Sequence, residues 1–171
     1  MSRYLALAPA ASFLALIAVF AGFILFHHNP KVSPRATVGQ PAPNAVLPTL
    51  ASGTVAPLKA AIQGPTLVNF FASWCAPCAQ EAPTLMALKA EGVRIVGVAW
   101  KDDPAASRAF LAKFGDPYAL ALVDRDGRTG IDFGISGVPE TYLVGPDGRI
   151  IDKQAEPLTA DSAEALLAKA R

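Results

Sequence analysis

Residues 66–78 read Thr-Leu-Val-Asn-Phe-Phe-Ala-Ser-Trp-Cys-Ala-Pro-Cys, an apolar run that leads directly into a Cys-x-x-Cys motif. Cys75 and Cys78 are the only two cysteines of the 171-residue chain, and a helix-like stretch follows them at residues 79–90. Unpaired backbone N–H groups and the helix dipole stabilise a thiolate at a helix start, so Cys75 is predicted to have a lowered pKa and to be the attacking group. Cys78, one turn deeper, is predicted to resolve the mixed disulfide.

Two other uses of this cysteine pair remain open. A zinc site would need two more nitrogen or sulfur ligands, and the only histidines, His27 and His28, lie at the end of a long apolar segment. A purely structural disulfide that closes so short a loop would constrain the unfolded chain little. Reversible dithiol chemistry is therefore the favoured interpretation.

Two neighbours of the dithiol complete the local motif. Pro77 suits the first turn of a helix, where a missing N–H costs little. Trp74 is predicted to cap the dithiol and to contact partner proteins, with a simple packing role as the alternative.

The N-terminal segment Tyr4–Phe26 runs without a charge. As a helix it would be roughly 35 Å long, against about 30 Å for the hydrocarbon core of a bilayer. We predict an uncleaved transmembrane signal anchor at residues 4–26, preceded by a cytoplasmic N-terminus at residues 1–3. The alternative is a cleaved signal peptide with a site at residues 19–21, although its apolar core would normally be only about 7 to 15 residues. The flanking charges barely favour either orientation.

The remainder divides into a tether and a domain. Residues 27–44 contain several prolines and few large apolar side chains, which predicts an extended tether. Residues 45–171 suit one domain with its own core. All 14 acidic residues lie beyond Arg35, where they outnumber the basic ones. This balance argues against nucleic-acid binding, which calls for a basic face.

Strand-like and helix-like segments alternate in the domain, which predicts an α/β fold. Thr66–Phe71 and Val93–Ala99 flank the helix-like stretch and form a βαβ unit, with the dithiol at the C-terminal end of its first strand, where open α/β sheets usually carry their chemistry. The other predicted elements are one or two edge strands before Pro65, a helix at 104–114, a strand at 119–123, a hairpin of 140–144 and 149–153, and a last helix that has a capping box at Asp161–Glu164 and ends at Ala170.

Several of these segments resemble a known family. Val68–Glu81 looks like the active-site segment of membrane-anchored thioredoxin-like proteins, and Gly137–Thr141 looks like their cis-proline loop. More narrowly, Gly134–Tyr142 resembles the DsbE/CcmG branch, together with Asp124–Gly127 upstream and Pro157–Thr159 downstream. The resemblance implies a thioredoxin-like fold with a central mixed sheet flanked by helices. It also implies reduction of disulfides during cytochrome c maturation outside the bacterial inner membrane.

The resemblance further implies roles for individual residues. Pro139 would be the cis-proline that faces Cys75, and the Val138 backbone beside it would pair with an extended substrate segment. Glu81 and Glu140 would give the active site an acidic surround. The alternative for both is a solvated surface carboxylate.

Together these predictions describe a thiol:disulfide oxidoreductase, anchored in the bacterial inner membrane as a single-pass protein with its catalytic domain in the periplasm. By resemblance, its partners are apocytochrome c or its maturation factors, and the substrate bond is the haem-attachment disulfide. A membrane thiol reductant of the DsbD/CcdA type would re-reduce the dithiol. The Cys75–Cys78 pair is expected to be the redox group, without a cofactor or metal.

Two functions of other classes remain open. A thiol peroxidase of the redoxin group normally has Thr or Ser three residues before its peroxidatic cysteine, and Ala72 occupies that position here. A non-catalytic assembly chaperone for apocytochrome or haem would work without the cysteines.

Overall fold

The computed structural model describes residues 13–22 and 37–170. Residues 13–22 form a helix, α1, whose side chains are mostly exposed. No helix within these described residues has the length and apolar character needed to cross a membrane. The two ends of the predicted anchor, residues 4–12 and 23–26, lie outside the described residues, as do residues 27–36 of the predicted tether.

The second of the chain's two compact units, residues 34–171, is an α/β domain. Its elements in chain order are β1 (Val46–Pro48), β2 (Val55–Pro57), α2 (Leu58–Ala61), β3 (Thr66–Phe71), α3 (Ala76–Ala90), β4 (Arg94–Trp100), α4 (Pro104–Phe114), β5 (Leu120–Asp124), α5 (Arg128–Phe133), β6 (Glu140–Val144), β7 (Ile150–Gln154), α6 (Ala160–Leu167) and a 3₁₀ turn (Ala168–Ala170).

The central sheet has five strands in the order β5-β4-β3-β6-β7. β3, β4 and β5 are parallel, β6 is antiparallel to β3, and β7 is antiparallel to β6. The sheet is therefore mixed, as the resemblance implied. All six residues of β3 are buried. A strand buried on both faces reads as a near-continuous apolar run, which is why residues 66–71 could be predicted as a strand.

Successive side chains of β3 point to opposite faces of the sheet and divide the core in two. Leu67 and Phe71 pack in the cluster that contains both cysteines, and we call this side the dithiol face. Val68 and Phe70 pack with Tyr142 on the other side, the distal face. α3, α4 and α6 contribute buried residues to the dithiol face, whereas α2 and α5 contribute to the distal face.

The segment before Pro65 does not add edge strands to the central sheet. β1 and β2 pair with each other as a separate two-stranded sheet. A bridge between Thr49 and Leu122 connects this hairpin to β5. Pro48 and Pro57 end the two strands, and a proline has no N–H with which to extend a ladder.

The folded domain begins before residue 45. The Gly39 N–H donates to the Ile150 carbonyl oxygen at 2.8 Å, and the Ile150 N–H donates to the Gln40 carbonyl oxygen at 2.9 Å. Ala42 is buried. Residues 39–42 therefore belong to the domain and not to the extended tether expected for residues 27–44.

The capping box of α6 also differs from the expected one. The Thr159 hydroxyl accepts a hydrogen bond from the Ser162 N–H, and the Ser162 hydroxyl accepts one from the Thr159 N–H. This reciprocal pair satisfies two donors of the first turn, as a capping box does, with serine in place of the usual Glu or Gln. The box thus lies two residues before the predicted Asp161–Glu164.

Candidate active site

The dithiol lies where β3 leads into α3. Cys75 is the N-cap of α3 and Pro77 lies in the first turn of that helix, as the sequence predicted. The two cysteines are joined in a disulfide, and the Cys75 Sγ accepts a hydrogen bond from the Cys78 N–H at 3.1 Å. After reduction, a helix N–H directed at this sulfur would stabilise a thiolate. The geometry supports Cys75 as the attacking group.

Trp74 forms an exposed aromatic surface beside the dithiol. It is 59% exposed, whereas Cys75 and Cys78 are buried. Its ring centroid lies 6.4 Å from that of Trp100, and Trp100 in turn packs on Gly130, where an added Cβ would lie 2.6 Å from the Trp100 Cδ1. One side of the Trp74 ring packs against Trp100 and the rest of the side chain is exposed to solvent, which favours contact with a partner protein over a simple packing role.

A buried carboxylate holds the residues ahead of Trp74. Asp102 follows β4 and is 6% exposed. It accepts hydrogen bonds from the Ser73 N–H at 2.7 Å and the Ser73 Oγ at 2.8 Å. It also accepts one from the Ser107 Oγ of α4 at 2.6 Å. Asp102 therefore links β4 and α4 to the loop that carries Cys75.

Glu81 lies one helical turn beyond Cys78 and is 1% exposed. Its Oε1 accepts a hydrogen bond from Asn69 Nδ2 at 2.8 Å, and its Oε2 accepts one from the Leu158 N–H at 2.9 Å. Burial raises the pKa of Glu81 to about 7, although both hydrogen bonds lower it. Glu81 is therefore not a solvated surface carboxylate; its carboxyl titrates near neutral pH, on the same helix as Cys78.

Asn69 connects Glu81 to the sheet. Its amide also donates to Thr141 Oγ1 at 2.9 Å, and its Oδ1 accepts from the Tyr118 hydroxyl at 2.7 Å. Burial holds the pKa of Tyr118 well above its ordinary value, and the charges of Glu81 and Asp116 raise it further. Tyr118 thus stays protonated as a donor, and the orientation of Glu81 is fixed by a fully buried network.

The Val138–Pro139 peptide bond is cis, as the resemblance implied. Pro139 is buried and Val138 is half-buried, and Val138 packs against the cluster that contains both cysteines. Glu140 pairs with Phe70 in the register between β6 and β3. The residues just before Glu140 therefore lie at the C-terminal end of β3, the end that carries the dithiol.

The structure corrects the prediction that Glu140 contributes an acid beside the dithiol. Its side chain lies on the distal face, where its Oε2 accepts hydrogen bonds from the Tyr142 hydroxyl at 2.9 Å and from Lys153 Nζ at 3.0 Å. Burial alone would raise the pKa of Glu140, but hydrogen bonds from Ser136 and Lys153 and the charge of Lys153 lower it overall. Since the side chain is 1% exposed, Glu140 is not a solvated carboxylate either.

Comparisons with known proteins agree with this architecture. The Redoxin family model matches residues 37–167. The thiol:disulfide interchange protein HelX of Rhodobacter capsulatus is 42% identical over 164 residues, which cover 91% of this chain and 92% of HelX. The thiol:disulfide interchange protein DsbE of Escherichia coli K12 is 36% identical over 163 residues, covering 92% of this chain and 88% of DsbE.

The chain belongs to the DsbE-type thiol:disulfide interchange proteins of the Redoxin family. It is a thiol:disulfide oxidoreductase with a thioredoxin-like fold. The structure of MTB DsbF in its mixed oxidized and reduced forms has a TM-score of 0.67 to this chain at 26% identity, and the match covers 75% of this chain and 96% of DsbF.

Several residues of this DsbE-type site escaped sequence reasoning. Asn69 had a recognisable signal, because an amide inside an otherwise apolar strand needs buried partners. Asp102 follows the C-terminal end of β4, and the C-terminal ends of parallel strands are where active sites usually lie. The residues next to it in sequence do not indicate which loop it binds. Tyr118 and Lys153 carry no local signal, since their partners are distant in sequence.

Proposed function

We propose that this DsbE-type protein reduces the haem-attachment disulfide of apocytochrome c. The observation that carries the proposal is a dithiol at the N-terminus of α3 with Glu81, an acid whose pKa is raised to about 7, one turn further along the helix. Such an arrangement supplies a nucleophile and a proton acceptor. The choice of apocytochrome as substrate follows from the resemblance of Gly134–Tyr142 to the DsbE/CcmG branch.

The first step is an attack by Cys75. Its thiolate displaces one sulfur of the substrate disulfide, so that a Cys75–substrate mixed disulfide forms and the other substrate sulfur leaves as a thiolate. The hydrogen bond from the Cys78 N–H, 3.1 Å long, stabilises the attacking sulfur. The backbone of Val138 would hold the substrate as an extended segment beside it.

The second step releases the substrate. The Cys78 thiol passes its proton to Glu81, whose pKa of about 7 suits proton transfer at neutral pH. The Cys78 thiolate then attacks the Cys75 sulfur, the Cys75–Cys78 disulfide forms, and the second substrate sulfur leaves as a thiolate. Two electrons have moved to the substrate, and a membrane thiol reductant of the DsbD/CcdA type returns them to the dithiol.

The proposal includes an anchor and a compartment. Residues 4–26 would span the inner membrane once, with the catalytic domain in the periplasm. The charge-free length of this segment supports the anchor. An oxidising compartment, in which protein disulfides form and persist, is also where a disulfide reductase for apocytochrome has its substrate.

Trapping of the mixed disulfide tests the substrate and the roles of the cysteines. A Cys78→Ser variant is expected to accumulate adducts with apocytochrome c in cells, because the resolving thiol is missing. A Cys75→Ser/Cys78→Ser variant is the control and should form none. Adducts of a Cys75→Ser variant instead would reverse the two roles, and adducts without any apocytochrome would overturn the substrate.

A reporter fusion tests the compartment. Alkaline phosphatase joined after Arg171 is expected to be active, because that enzyme folds only outside the cytoplasm. A cytoplasmic reporter at the same position is the control and should be silent. The opposite result, with activity only from the cytoplasmic reporter, would place the domain on the other side of the membrane.

The two alternative functions have their own tests. Consumption of peroxide by the reduced protein would favour a thiol peroxidase, for which Ala72 is an unfavourable residue. Full complementation of cytochrome c maturation by the Cys75→Ser/Cys78→Ser variant would favour a non-catalytic chaperone. We expect neither result.

A further inference from the structure

The loop between α5 and β6, residues 134–139, is bound to a buried ion pair. Glu140 Oε1 accepts hydrogen bonds from the Ser136 N–H at 2.8 Å and from the Ser136 Oγ at 2.5 Å. Glu140 Oε2 accepts from Lys153 Nζ at 3.0 Å, and Lys153 also donates to the Gly134 carbonyl oxygen at 3.4 Å. One charge pair therefore holds the start and the middle of the loop.

Tyr142 connects the same ion pair to the helix that precedes the loop. Its hydroxyl lies 2.9 Å from Glu140 Oε2 and 3.0 Å from the Phe133 carbonyl oxygen. The side chains of Glu140 and Lys153 are 1% and 3% exposed. Buried charges whose hydrogen bonds are satisfied form a rigid unit, because any displacement would leave a charge unpaired. We call this unit, with Ser136, the Glu140–Lys153 clamp.

The clamp has no direct part in the redox step. It lies on the distal face, whereas the two cysteines and Glu81 lie on the dithiol face. Val138, however, is two residues from Ser136 and two from Glu140, so both contacts of the clamp border it in sequence. Val138 also packs against the cysteine-containing cluster. What the clamp can control is the position of the Val138 backbone.

We propose that Glu140 and Lys153 are positioning residues, which hold the backbone of Val138 so that an extended polypeptide carrying the target disulfide can pair beside Cys75. The inference rests on the proposed function, in which Val138 is the main-chain partner of the substrate. It assigns the clamp to recognition of a polypeptide rather than to electron transfer. A small disulfide has no polypeptide backbone to pair with Val138, so its rate of reduction should not depend on the clamp.

Ser136→Ala is the mildest test, because it removes one hydrogen bond to Glu140 and leaves the ion pair in place. The reduced full-length protein is mixed either with a peptide that contains a Cys-x-x-Cys disulfide or with hydroxyethyl disulfide, and both rates are measured by stopped flow. We expect the ratio of the peptide rate to the small-disulfide rate to fall about tenfold, as loss of a hydrogen bond to a charged group allows.

Two matched variants serve as controls. Ser136→Thr keeps the hydroxyl, and the exposed position leaves room for the extra methyl group, so the wild-type ratio should be retained. Ser52→Ala removes a hydroxyl that makes hydrogen bonds of 2.8 Å and 2.7 Å to Thr49 and Thr54 in the β1–β2 hairpin. That loss should leave the ratio at its wild-type value.

The ion pair itself is tested by removing both charges together. Lys153→Met alone would leave a buried carboxylate unpaired and is expected to destabilise the fold strongly. The double variant Glu140→Gln/Lys153→Met is neutral and retains side chains of similar size. We expect its rate ratio to fall in the same direction as that of Ser136→Ala, with the redox potential of the dithiol unchanged.

The outcomes separate this inference from the proposed function. The proposed role of the clamp is overturned by any of three results for Ser136→Ala: an equal loss of the peptide and small-disulfide rates, a shifted redox potential of the dithiol, or a wild-type ratio of the two rates. The proposed function stands in each of these cases, because the wild-type protein is still active. A wild-type protein that reduces neither disulfide overturns the proposed function, and the clamp with it. A selective loss of the peptide rate, restored in Ser136→Thr, supports the clamp.

Discussion

Glu81 and Glu140 are both 1% exposed, yet their pKa values shift in opposite directions. The side-chain and main-chain donors of Glu81 are neutral, so burial prevails and raises the pKa to about 7. For Glu140 the opposing effects, hydrogen bonds from Ser136 and the hydrogen bond and charge of Lys153, outweigh burial and lower the pKa. Of these two acids, Glu81 is therefore the one that can exchange a proton near neutral pH.

The raised pKa of Glu81 predicts a pH-dependent stability of the oxidised protein. Between pH 4.5, the ordinary pKa, and about 7, the folded chain keeps a proton that the unfolded chain has lost. The free energy of unfolding should therefore fall as the pH rises through this window, by about 3 kcal/mol in all. Urea unfolding at several pH values measures this slope.

The matched variants for this test are Glu81→Gln and Glu91→Gln. Glu81→Gln should make the slope smaller by the contribution of Glu81, because the glutamine amide does not titrate. Glu91→Gln changes an exposed residue at the end of the same helix, and its curve should parallel that of the wild type. Parallel curves for the wild type and Glu81→Gln would contradict the assignment.

The position of the dithiol depends on contacts between elements. Cys75 lies beyond the C-terminal end of β3, as the N-cap of α3, and Cys78 lies in the first turn of that helix. The loop between β3 and α3 is tied to β4 and α4 through Asp102. Asp102 accepts hydrogen bonds from Ser73, two residues before Cys75, at 2.7 and 2.8 Å. The active-site loop is therefore held not only by β3 and α3, which it connects, but also by the residues that follow β4 and by α4.

Asp102→Ala is predicted to loosen this loop. It removes the acceptor of one buried hydrogen bond, from Ser107, and of two part-buried ones, from Ser73, so the free energy of unfolding should fall by about 2 to 4 kcal/mol. The reduced variant should also show an altered rate of Cys75 alkylation, because the Cys78 N–H no longer faces the sulfur in a fixed geometry. Urea unfolding and iodoacetamide labelling measure the two effects.

Asp103→Ala is the control for that variant. Asp103 is the exposed N-cap of α4 and accepts hydrogen bonds from Ala105 and Ala106 at 2.8 and 3.3 Å. Its loss removes a cap but no contact with Ser73, so the alkylation rate of Cys75 should stay at the wild-type value. The same rate in both variants would show that Asp102 does not position the loop.

For the whole molecule, the surroundings of Cys75 determine the direction of electron flow. None of the described residues, 13–22 and 37–170, is a histidine, and an ionised Glu81 would oppose a thiolate charge. The hydrogen bond from the Cys78 N–H favours that charge. A thiolate with this little stabilisation makes the reduced protein a good electron donor.

We predict a reduction potential close to the value of about −270 mV found for thioredoxin, and far from the value of about −120 mV found for DsbA. That gap corresponds to roughly 7 kcal/mol in the stability of the reduced form over the oxidised form. Equilibration of the full-length protein with glutathione buffers measures the potential. A value near that of DsbA would contradict the reductase direction and leave the fold intact.

Local patterns in the sequence were enough to predict the longer helices, the strands of the central sheet and the reactive pair. The apolar run 66–71 indicated a strand buried on both faces, and the cysteine spacing placed Cys75 at a helix start. The short helices α2 and α5 were not predicted, because one turn or two shows no clear hydrophobic period. The N-terminal hairpin was expected in the central sheet because a strand pattern does not specify its partner.

The sequence by itself determined the dithiol, the strand before it and the helix after it, because each depends on residues close together in the chain. Only the tertiary structure decided what the two acids do. Glu140 follows Pro139 in sequence, but the alternation of β6 turns it to the distal face, where β7 supplies Lys153. Glu81 is buried against Asn69 of β3. The face of the sheet on which each acid lies, its burial and its hydrogen-bond partners depend on strand register and helix packing, and only long-range contacts establish these.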